Sequence, residues 1–550
     1  MKWSTADTNK ILILIVLSYV LFILGNSVIS LSNPDEVFYS QTAKEMAERN
    51  TWLEMYIFGQ PQFEKPILTY WFLRLGIILF GLSSFGARFF SSLFALFGVV
   101  AVYWFGRVVF GDRKKAFIAA LLLMSAGLYA GMARVLLTDM FFSVLILLAM
   151  ASFFWGYLRP VRKNVGIGLF FAFSALAVLA KGPLGFGITL LAVVLFLALR
   201  REFRFLICPG LLWGVLLFVL IAVPWYIFMI NKFGGDFIRE FFYNDHVRRI
   251  FEAEHRSNDT WYFYPGIMIG GMFPWCLYAL ASLGYLIKNI IRKNSNPLYL
   301  YLGCWIFSVF IIFQPAHSKL VSYILPLFPA LALVTGDFIC NIIAEKRWRT
   351  ASVLAGGTWL ALLGFALVII FCPAEYRMYL PSGGALISAT VLYILSMAAG
   401  VYLIIRKQFF GYMYIIILQI VLMLLFVPLA RKNIDLYLSS KQACDYLEDN
   451  YEIENTILCA KPFVRGVAYY TDKEVAVVNL GGGDFFSPHP IPFLRSDNEV
   501  IQTLRSQPVT YGVLKKSSYG DVKRIAGEEF VVDDPKILGD KYITRIRPKN

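Results

Sequence analysis

Residues 11–46 read ILILIVLSYVLFILGNSVISLSNPDEVFYSQTAKEM. The first part of this stretch is apolar and uncharged, and it has the length of about 20 residues that an α-helix needs to cross a bilayer. The second part starts with the adjacent carboxylates Asp35 and Glu36 and then follows a helical pattern. The apolar part is not followed by a small-residue cleavage pattern, so we interpret it as a retained first span rather than a signal peptide.

The composition extends this interpretation to most of the chain. Of 550 residues, 58% are hydrophobic and 16% are charged, with a mean hydropathy of +0.63. Apolar runs near 20 residues recur, which is typical of a polytopic membrane protein. The net charge of +15 is explained by basic cytoplasmic loops, so it does not indicate a nucleic-acid partner. The seven cysteines show no CxxC or zinc-type spacing, and the pattern leaves open whether Cys444 and Cys459 pair.

Short basic loops fix an orientation. They lie at 111–115, 159–163, 200–204, 288–293, 346–349 and 406–407. If all of them are cytoplasmic, the N-terminus is cytoplasmic and residues 31–66 lie outside. The short apolar stretch 67–82 carries Arg74, so we predict an interfacial helix there. The result is about thirteen spans, near 11–30, 86–110, 116–133, 139–158, 165–180, 183–200, 206–230, 263–287, 297–313, 320–343, 351–372, 383–405 and 409–430.

The composition changes after residue 430. Short β-rich runs such as VAVVN alternate with helical patterns such as SSKQACDYLEDN, which predicts a small α/β domain. We therefore predict a mainly α membrane protein with a transmembrane domain over residues 1–430. A soluble α/β domain over residues 431–550 follows it on the outer face.

Unusual polar residues collect on the predicted outer face. The loop 231–262 carries Arg239, Arg248, Arg249 and Arg256 among several carboxylates. Positive charge on this side runs against the usual charge bias of membrane proteins. Binding an anion is the simplest reason for it.

The individual side chains have both structural and functional interpretations. Asp35 and Glu36 would stabilise the first turn of an interfacial helix, or Asp35 would act as a base or stabilise developing positive charge. Asp139, at the outer start of a span, has the same two interpretations. Lys65 would reach the headgroups as a surface lysine or bind a lipid phosphate. His246 with Glu64 makes only half of a metal site.

Several short motifs occur in a fixed order through the first two-thirds of the chain. They are DEVFYSQTAKEM (35–46), QFEKPI (62–67), ARVLLTDMF (133–141), AKG (180–182), FFYNDHVRRI (241–250), EHR (254–256), GGMFPW (270–275) and HSKLVSYILP (317–326). This ordered set resembles the GT-C integral-membrane glycosyltransferases. The closest resemblance is to the lipid A aminoarabinose transferases, and the protein O-mannosyltransferases are more distant.

The resemblance implies the roles of particular residues. Asp35 would be the key catalytic carboxylate, with Asp139 as a second acidic residue, and Lys65 and Arg249 would bind the donor phosphate. Other residues would line the same cavity: Glu36, Glu64, His246, His255, Arg256, Lys319 and Tyr323. Glu64 and His246 are implied ligands of a possible divalent metal (Zn, Mg or Mn).

The resemblance also implies the reaction. The donor would be a sugar on undecaprenyl or another polyprenyl phosphate, and transfer to lipid A or another envelope acceptor would proceed with inversion. The location would be the bacterial inner membrane, with the site facing the periplasm. No P-loop or other nucleotide signature occurs in the sequence, and no nucleic-acid partner is expected. Two alternatives stay open: a hydroxyl acceptor on a protein or polysaccharide, and a transporter of lipid-linked sugar.

One departure concerns the acidic motif. The aminoarabinose transferases typically have D-E-x-R-Y, whereas this chain has D-E-V-F-Y, with Phe38 at the Arg position. The segment after Arg256 also differs from the usual Pro-aromatic pair. The departure therefore leaves the sugar and the acceptor open more than the reaction class.

Overall fold

The computed structural model describes residues 4–252, 258–292, 296–371, 383–482 and 491–549. The predicted site residues His255 and Arg256 lie outside these ranges. Most of the described chain is helical, and a small sheet forms near the C-terminus. This agrees with the predicted class of a mainly α protein with a C-terminal α/β part.

The first part of the chain is a succession of apolar helices joined by short connections. Its helices are α1 (Thr5–Ser18, continued by a π-helical turn to Ile23), α2 (Asp35–Glu48), α3 (Leu68–Phe80), α4 (Ser84–Phe110), α5 (Arg113–Ser125), α6 (Gly127–Ala133), α7 (Thr138–Leu158), α8 (Lys163–Lys181), α9 (Leu184–Arg200) and α10 (Pro209–Phe237). A small hairpin, β1 (Tyr56–Ile57) and β2 (Gln60–Pro61), lies between α2 and α3. Side-chain caps begin some of these helices: Asp112 accepts from the backbone N–H groups of Lys114 and Lys115 at the start of α5.

The second part of the membrane region continues in the same way. A π-helical segment, Ile238–Val247, joins α10 to α11 (Arg248–Phe251). Then come α12 (Phe263–Gly270), α13 (Cys276–Ile291), α14 (Pro297–Phe313), a 3₁₀ segment (Val321–Leu327), α15 (Phe328–Ala344), α16 (Trp348–Ile370), α17 (Gly383–Ile405) and α18 (Phe410–Leu438).

Many of these helices have the length and composition of membrane spans. Within the described residues, eight helices are long and apolar enough to cross a bilayer. The count rises to nine if α5 and α6, which meet at a bend of 65°, form one broken span. Five shorter apolar helices are also present, among them α3 and α9. The chain is therefore a multi-pass membrane protein.

Two predicted segments differ from the structure. The predicted loop 231–262 is largely helical as far as Phe251, because after a break at Gly234 (φ 56°, ψ −131°) the chain continues through a π-helical segment. The predicted span 263–287 is broken: α12 ends at Gly270, and α13 begins at Cys276 after a connection that contains Pro274. Proline has no backbone N–H and clashes with the preceding turn, so an apolar run alone does not predict an unbroken helix.

The C-terminal part is a three-layer α/β structure. Its strands are β3 (Ile457–Cys459), β4 (Val475–Val478), β5 (Phe493–Leu494), β6 (Thr510–Leu514), β7 (Phe530–Val532), β8 (Lys536–Leu538) and β9 (Lys541–Pro548). The order is β5-β4-β3-β6-β9-β7, with β8 also paired to β9. The strands β5, β4, β3 and β6 are mutually parallel, and β9 is antiparallel to β6.

Helices cover both faces of this sheet. They are α19 (Lys441–Asn450), α20 (Val464–Thr471), α21 (Asp497–Arg505) and α22 (Lys516–Ala526). The helices α19 and α20 contribute to one apolar core, and α21 and α22 contribute to a second. Cys444 and Cys459 are buried as free thiols in the first core. This layering is the usual way to bury both faces of a parallel sheet.

Candidate functional site

The start of α2 is anchored by a buried ion pair. Arg88 of α4 donates to the two carboxylate oxygens of Glu36 at 2.7 and 2.6 Å. The same carboxylate also accepts from the backbone N–H groups of Leu136 and Ser32, each at 2.9 Å. Although burial disfavours the charged carboxylate, Arg88 and these N–H groups hold the pKa of Glu36 below its usual value. Its oxygens accept from these protein donors, so Glu36 positions α2.

This anchor places three other carboxylates around one tyrosine. Tyr39 follows Asp35 by one helical turn and is buried. Burial raises the pKa of Tyr39 well above its usual value, and the neighbouring Tyr70, Asp35, Asp139 and Glu64 raise it further. The structure therefore brings together the two predicted catalytic residues, Asp35 and Asp139, together with Glu64.

Asp139 begins α7 and forms an ion pair with Lys181, the last residue of α8. Both side chains are 8% exposed. The Lys181 ammonium also lies 4.3 Å from the centroid of the Tyr323 ring. Because α7 and α8 pack against each other, the C-terminal end of α8 lies beside the N-terminal end of α7. Lys181 was not among the predicted site residues.

A second buried carboxylate, Asp245, joins the two predicted phosphate ligands. Lys65 donates to one of its oxygens at 2.6 Å, and Arg249 lies 2.9 Å from the other. Arg249 Nη1 also donates to the Tyr323 hydroxyl at 3.4 Å. Lys65, Arg249 and Tyr323 therefore converge, although they come from three distant parts of the chain. Asp245 was not among the predicted site residues.

Lys319 lies beside this group and has a different partner. Its ammonium donates to Asp259 at 2.7 Å, and His317 bonds the other oxygen of Asp259 at 2.6 Å. Hydrogen bonds from His317 and Lys319 lower the pKa of Asp259. The backbone N–H of Ser318 donates to the Arg249 carbonyl at 3.2 Å. Lys319 therefore supports the segment that contacts Arg249.

His246 lies in the π-helical segment and packs against Phe241 of the same segment and against Gly182, the residue that follows α8. Its Nδ1 bonds the Phe241 carbonyl at 2.7 Å. Its Nε2 faces Gly182, where an added Cβ would collide with it and where φ is +98°. Only glycine fits both the space and the backbone conformation at this position.

Glu64 and His246 are the predicted ligands of a divalent metal. Among the described residues, no group of three or more His, Cys, Asp and Glu side chains could hold a metal ion. The charged neighbours of Glu64 are the cations Arg465, Lys65 and Arg249 and the carboxylate of Asp245. The described residues therefore do not fit a metal centre.

Glu64 is a carboxylate of the cluster with a raised pKa. Burial raises its pKa above the usual value, while Arg465, Lys65 and Arg249 oppose this effect. Glu64 therefore takes up a proton at higher pH than an exposed glutamate does.

An apolar cavity of about 910 Å³ lies beside α2. Its lining includes Glu36, Arg88 and Arg134 together with apolar side chains of α16, α17 and α18. Arg134 donates to the carbonyls of Leu21 and Leu24 at 2.6 and 2.9 Å. The cavity is large enough for part of a lipid chain, and its polar edge includes Glu36 at the start of α2.

Several known proteins are similar to this chain in sequence or in fold. Residues 8–233 match the family described as dolichyl-phosphate-mannose-protein mannosyltransferase. Over 98% of both chains, the structure matches ArnT from Cupriavidus metallidurans bound to undecaprenyl phosphate, with a TM-score of 0.79 and 20% identity. This chain has the fold of that ArnT structure. The predicted resemblance is confirmed.

Other known proteins are similar to this chain over part or most of their length. The undecaprenyl phosphate-alpha-4-amino-4-deoxy-L-arabinose arabinosyl transferase of Edwardsiella ictaluri is 29% identical over 61% of this chain and 59% of that enzyme. An uncharacterized protein of Aquifex aeolicus is 28% identical over 66% of this chain and 70% of that protein. The match to the Edwardsiella enzyme thus spans less than two thirds of its length. An oligosaccharyltransferase of Archaeoglobus fulgidus matches with a TM-score of 0.50 at 12% identity, over 96% of this chain and 73% of that chain.

Proposed function

We propose that this protein is an inverting glycosyltransferase that moves a sugar from polyprenyl phosphate, such as undecaprenyl phosphate, to lipid A or another envelope acceptor. The observation that carries the proposal is the convergence of Lys65, Arg249 and Tyr323 on one point beside the carboxylates of Asp35 and Asp139. Cations and a hydroxyl suit a phosphate, and carboxylates suit a sugar carbon that becomes positive.

The first step is binding of the donor phosphate. In the free protein, Asp245 holds Lys65 and Arg249 together at 2.6 and 2.9 Å. A phosphate oxygen would take over these two cations and would also accept from the Tyr323 hydroxyl. Because the cations are already paired and buried, they need little reorganisation when the phosphate arrives.

The second step is departure of the lipid phosphate from the anomeric carbon. The leaving group is already an anion, so Lys65 and Arg249 stabilise it without protonation by an acid. The anomeric carbon gains positive charge as the bond breaks, and Asp35 stabilises it. The Lys181 ammonium holds the Asp139 carboxylate in place beside this centre.

The third step is attack by the acceptor from the opposite side of the sugar, which gives inversion. A phosphate acceptor is a ready nucleophile and needs no base. A hydroxyl acceptor loses a proton, and Asp35 would accept it as general base. The hydroxyl acceptor is the second candidate because Phe38 leaves the acceptor side open.

The proposal includes an arrangement in the membrane. About thirteen crossings with a cytoplasmic N-terminus place the ends of α2, α7, α8 and α10 on one face, where the charged cluster lies. The membrane is the bacterial inner membrane. The topology also includes interfacial helices in the first outer loop, a transmembrane domain over residues 1–430 and a periplasmic domain over residues 431–550. Accessibility labelling of a cysteine introduced at Lys473, with one introduced at Arg162 as the control on the opposite face, tests this topology. If a reagent that does not cross the membrane labels both cysteines equally from one side, the topology is contradicted.

Transfer itself is tested with purified protein. The protein is incubated with radiolabelled polyprenyl-phosphate sugars and a membrane lipid extract, and labelled products are separated by mass. We expect transfer by the wild type and none by Asp35→Asn. A wild-type protein that uses no polyprenyl donor would contradict the proposal, and transport of intact donor without transfer would favour the transporter alternative.

A further inference from the structure

The C-terminal domain is fixed directly against the start of α2. The backbone N–H of Asn33 donates to the Leu438 carbonyl at 2.7 Å, and its side-chain amide donates to Ser440 at 2.7 Å. The backbone N–H of Leu31 donates to the Tyr470 hydroxyl at 3.0 Å. A Cβ added at Gly466 would collide with the side chain of Asn33. The beginning of α20 therefore approaches α2 as closely as its backbone permits.

This approach brings Arg465 to the charged cluster. Arg465 is 9% exposed, and its guanidinium carbon lies 4.8 Å from the centroid of the Phe38 ring. Arg465 is one of the cations that act electrostatically on the partly buried Glu64, together with Lys65 and Arg249. A side chain of the soluble domain therefore lies among the proposed site residues of the membrane domain.

The charge balance of the cluster depends on this arginine. The groups that take part are the carboxylates Asp35, Glu64, Asp139 and Asp245 and the cations Lys65, Lys181, Arg249 and Arg465. Without Arg465 the carboxylates would outnumber the cations, and the cluster would repel a phosphate. With Arg465 the two signs balance when Glu64 is ionised. Protonation of Glu64 then leaves a positive surplus, which favours a bound anion.

We propose that Arg465 binds a phosphate group of the donor or the acceptor lipid and completes, from the C-terminal domain, the anion site that Lys65 and Arg249 begin. This inference rests on the proposed function. An arginine over an aromatic ring still donates N–H groups in its own plane, in a fork that matches phosphate oxygens. The soluble domain would then be part of the substrate site.

The alternative is that Arg465 only docks the domain by contact with Phe38 and Glu64. The two roles predict different results. A docking residue affects stability and affects all substrates through loss of folded protein. A phosphate-binding residue affects the affinity of phosphate-bearing lipids while the melting temperature stays the same.

The test measures undecaprenyl phosphate binding to the full-length protein in nanodiscs. The variants are Arg465→Gln and Arg465→Met, and Arg465→Met keeps an apolar contact with Phe38 if the first variant folds poorly. Arg524→Gln is the matched control, since Arg524 lies in the same domain and pairs with Asp497 in an exposed position. We expect the affinity to fall about tenfold in both Arg465 variants and to change less than twofold in the control.

Kinetics then separate the two sources of phosphate. A loss of undecaprenyl phosphate binding, with a raised KM for the donor, assigns Arg465 to the donor phosphate. Unchanged undecaprenyl phosphate binding with a raised KM for a phosphorylated acceptor assigns it to the acceptor phosphate. If both quantities stay within twofold of the wild type while only the melting temperature falls, Arg465 is a docking residue and the inference is wrong.

This result is distinguishable from failure of the proposed function. A wild-type protein that neither binds nor uses polyprenyl phosphate would contradict the glycosyltransferase proposal, and this inference with it. Wild-type binding that survives unchanged in the Arg465 variants, with unchanged KM for both substrates, would contradict this inference alone.

Discussion

Arg248 and Arg249 are adjacent in the sequence, and the structure assigns them opposite surroundings. Arg249 is 15% exposed and contacts Asp245 and Tyr323, whereas Arg248 is 37% exposed and pairs with Glu252 at 2.7 Å. We predict that Arg249→Met severely weakens donor binding and that Arg248→Met leaves it nearly unchanged. The two variants remove the same charge and differ by one position, so each is the control for the other.

The expected loss of donor affinity in Arg249→Met follows from the interaction that the donor phosphate replaces. Arg249 already has Asp245 at 2.9 Å in the free protein, so the phosphate gains only the difference between two ionic partners. Hydrogen bonds to charged groups contribute a net ~1.5–3 kcal/mol. This range corresponds to a ~10- to 150-fold loss of affinity for Arg249→Met. An exposed pair such as Arg248–Glu252 contributes about 0–1 kcal/mol to stability and is not placed to contact the donor.

The assay is titration of undecaprenyl phosphate into the purified full-length variants, with the melting temperature measured in parallel. Folding controls matter because Arg249→Met leaves Asp245 with Lys65 as its remaining strong cationic partner at 2.6 Å. Equal loss of affinity in the two variants would refute the reasoning, since a general loss of surface charge would then explain both. Unchanged affinity in Arg249→Met would remove Arg249 from the phosphate site.

Three further predictions concern single carboxylates. Asp35→Asn should reduce transfer at least ~100-fold with an unchanged melting temperature, and full activity measured with a radiolabelled donor would contradict its catalytic role. Glu36→Gln should destabilise the protein by about 3–5 kcal/mol because Arg88 is left without its buried partner, and an unchanged melting temperature would show that this pair does not anchor α2. Burial raises the pKa of Glu64, so lowering the pH from 7.5 toward that pKa protonates Glu64, removes a negative charge and increases the affinity for a phosphodiester donor. Glu64→Gln should abolish this pH dependence, and a pH profile identical to that of the wild type would refute the assignment.

Much of the fold followed from local patterns. The apolar runs predicted the membrane helices, and the alternation after residue 430 predicted the C-terminal sheet, because side-chain periodicity is a local property of helices and strands. The positions at which a helix breaks or continues were less predictable. Pro274 separates α12 from α13, while the predicted loop after residue 230 is helical to Phe251. The composition of an apolar segment does not specify where its backbone bends.

The candidate site was predicted only in part. Motif resemblance indicated Lys65, Arg249 and Tyr323, and the structure brings them together. It did not indicate Asp245, although an acidic residue four positions before Arg249 on one helical face was a usable signal. The Glu36–Arg88 pair had no such signal, because Arg88 looked like one more residue of an apolar span.

The sequence by itself determined that this protein is a multi-pass membrane protein, and it indicated which loops carry chemistry. Hydrophobic length and charge placement decide insertion residue by residue, so they can be interpreted without a structure. Only the tertiary structure decided which charges are partners, since Asp139 meets Lys181 and Glu36 meets Arg88. Only the structure placed Arg465 over Phe38. Such ion pairs form only when helices that are distant in the sequence pack together. The strength of an electrostatic interaction depends on the distance between the two charges, and a local sequence pattern does not specify that distance.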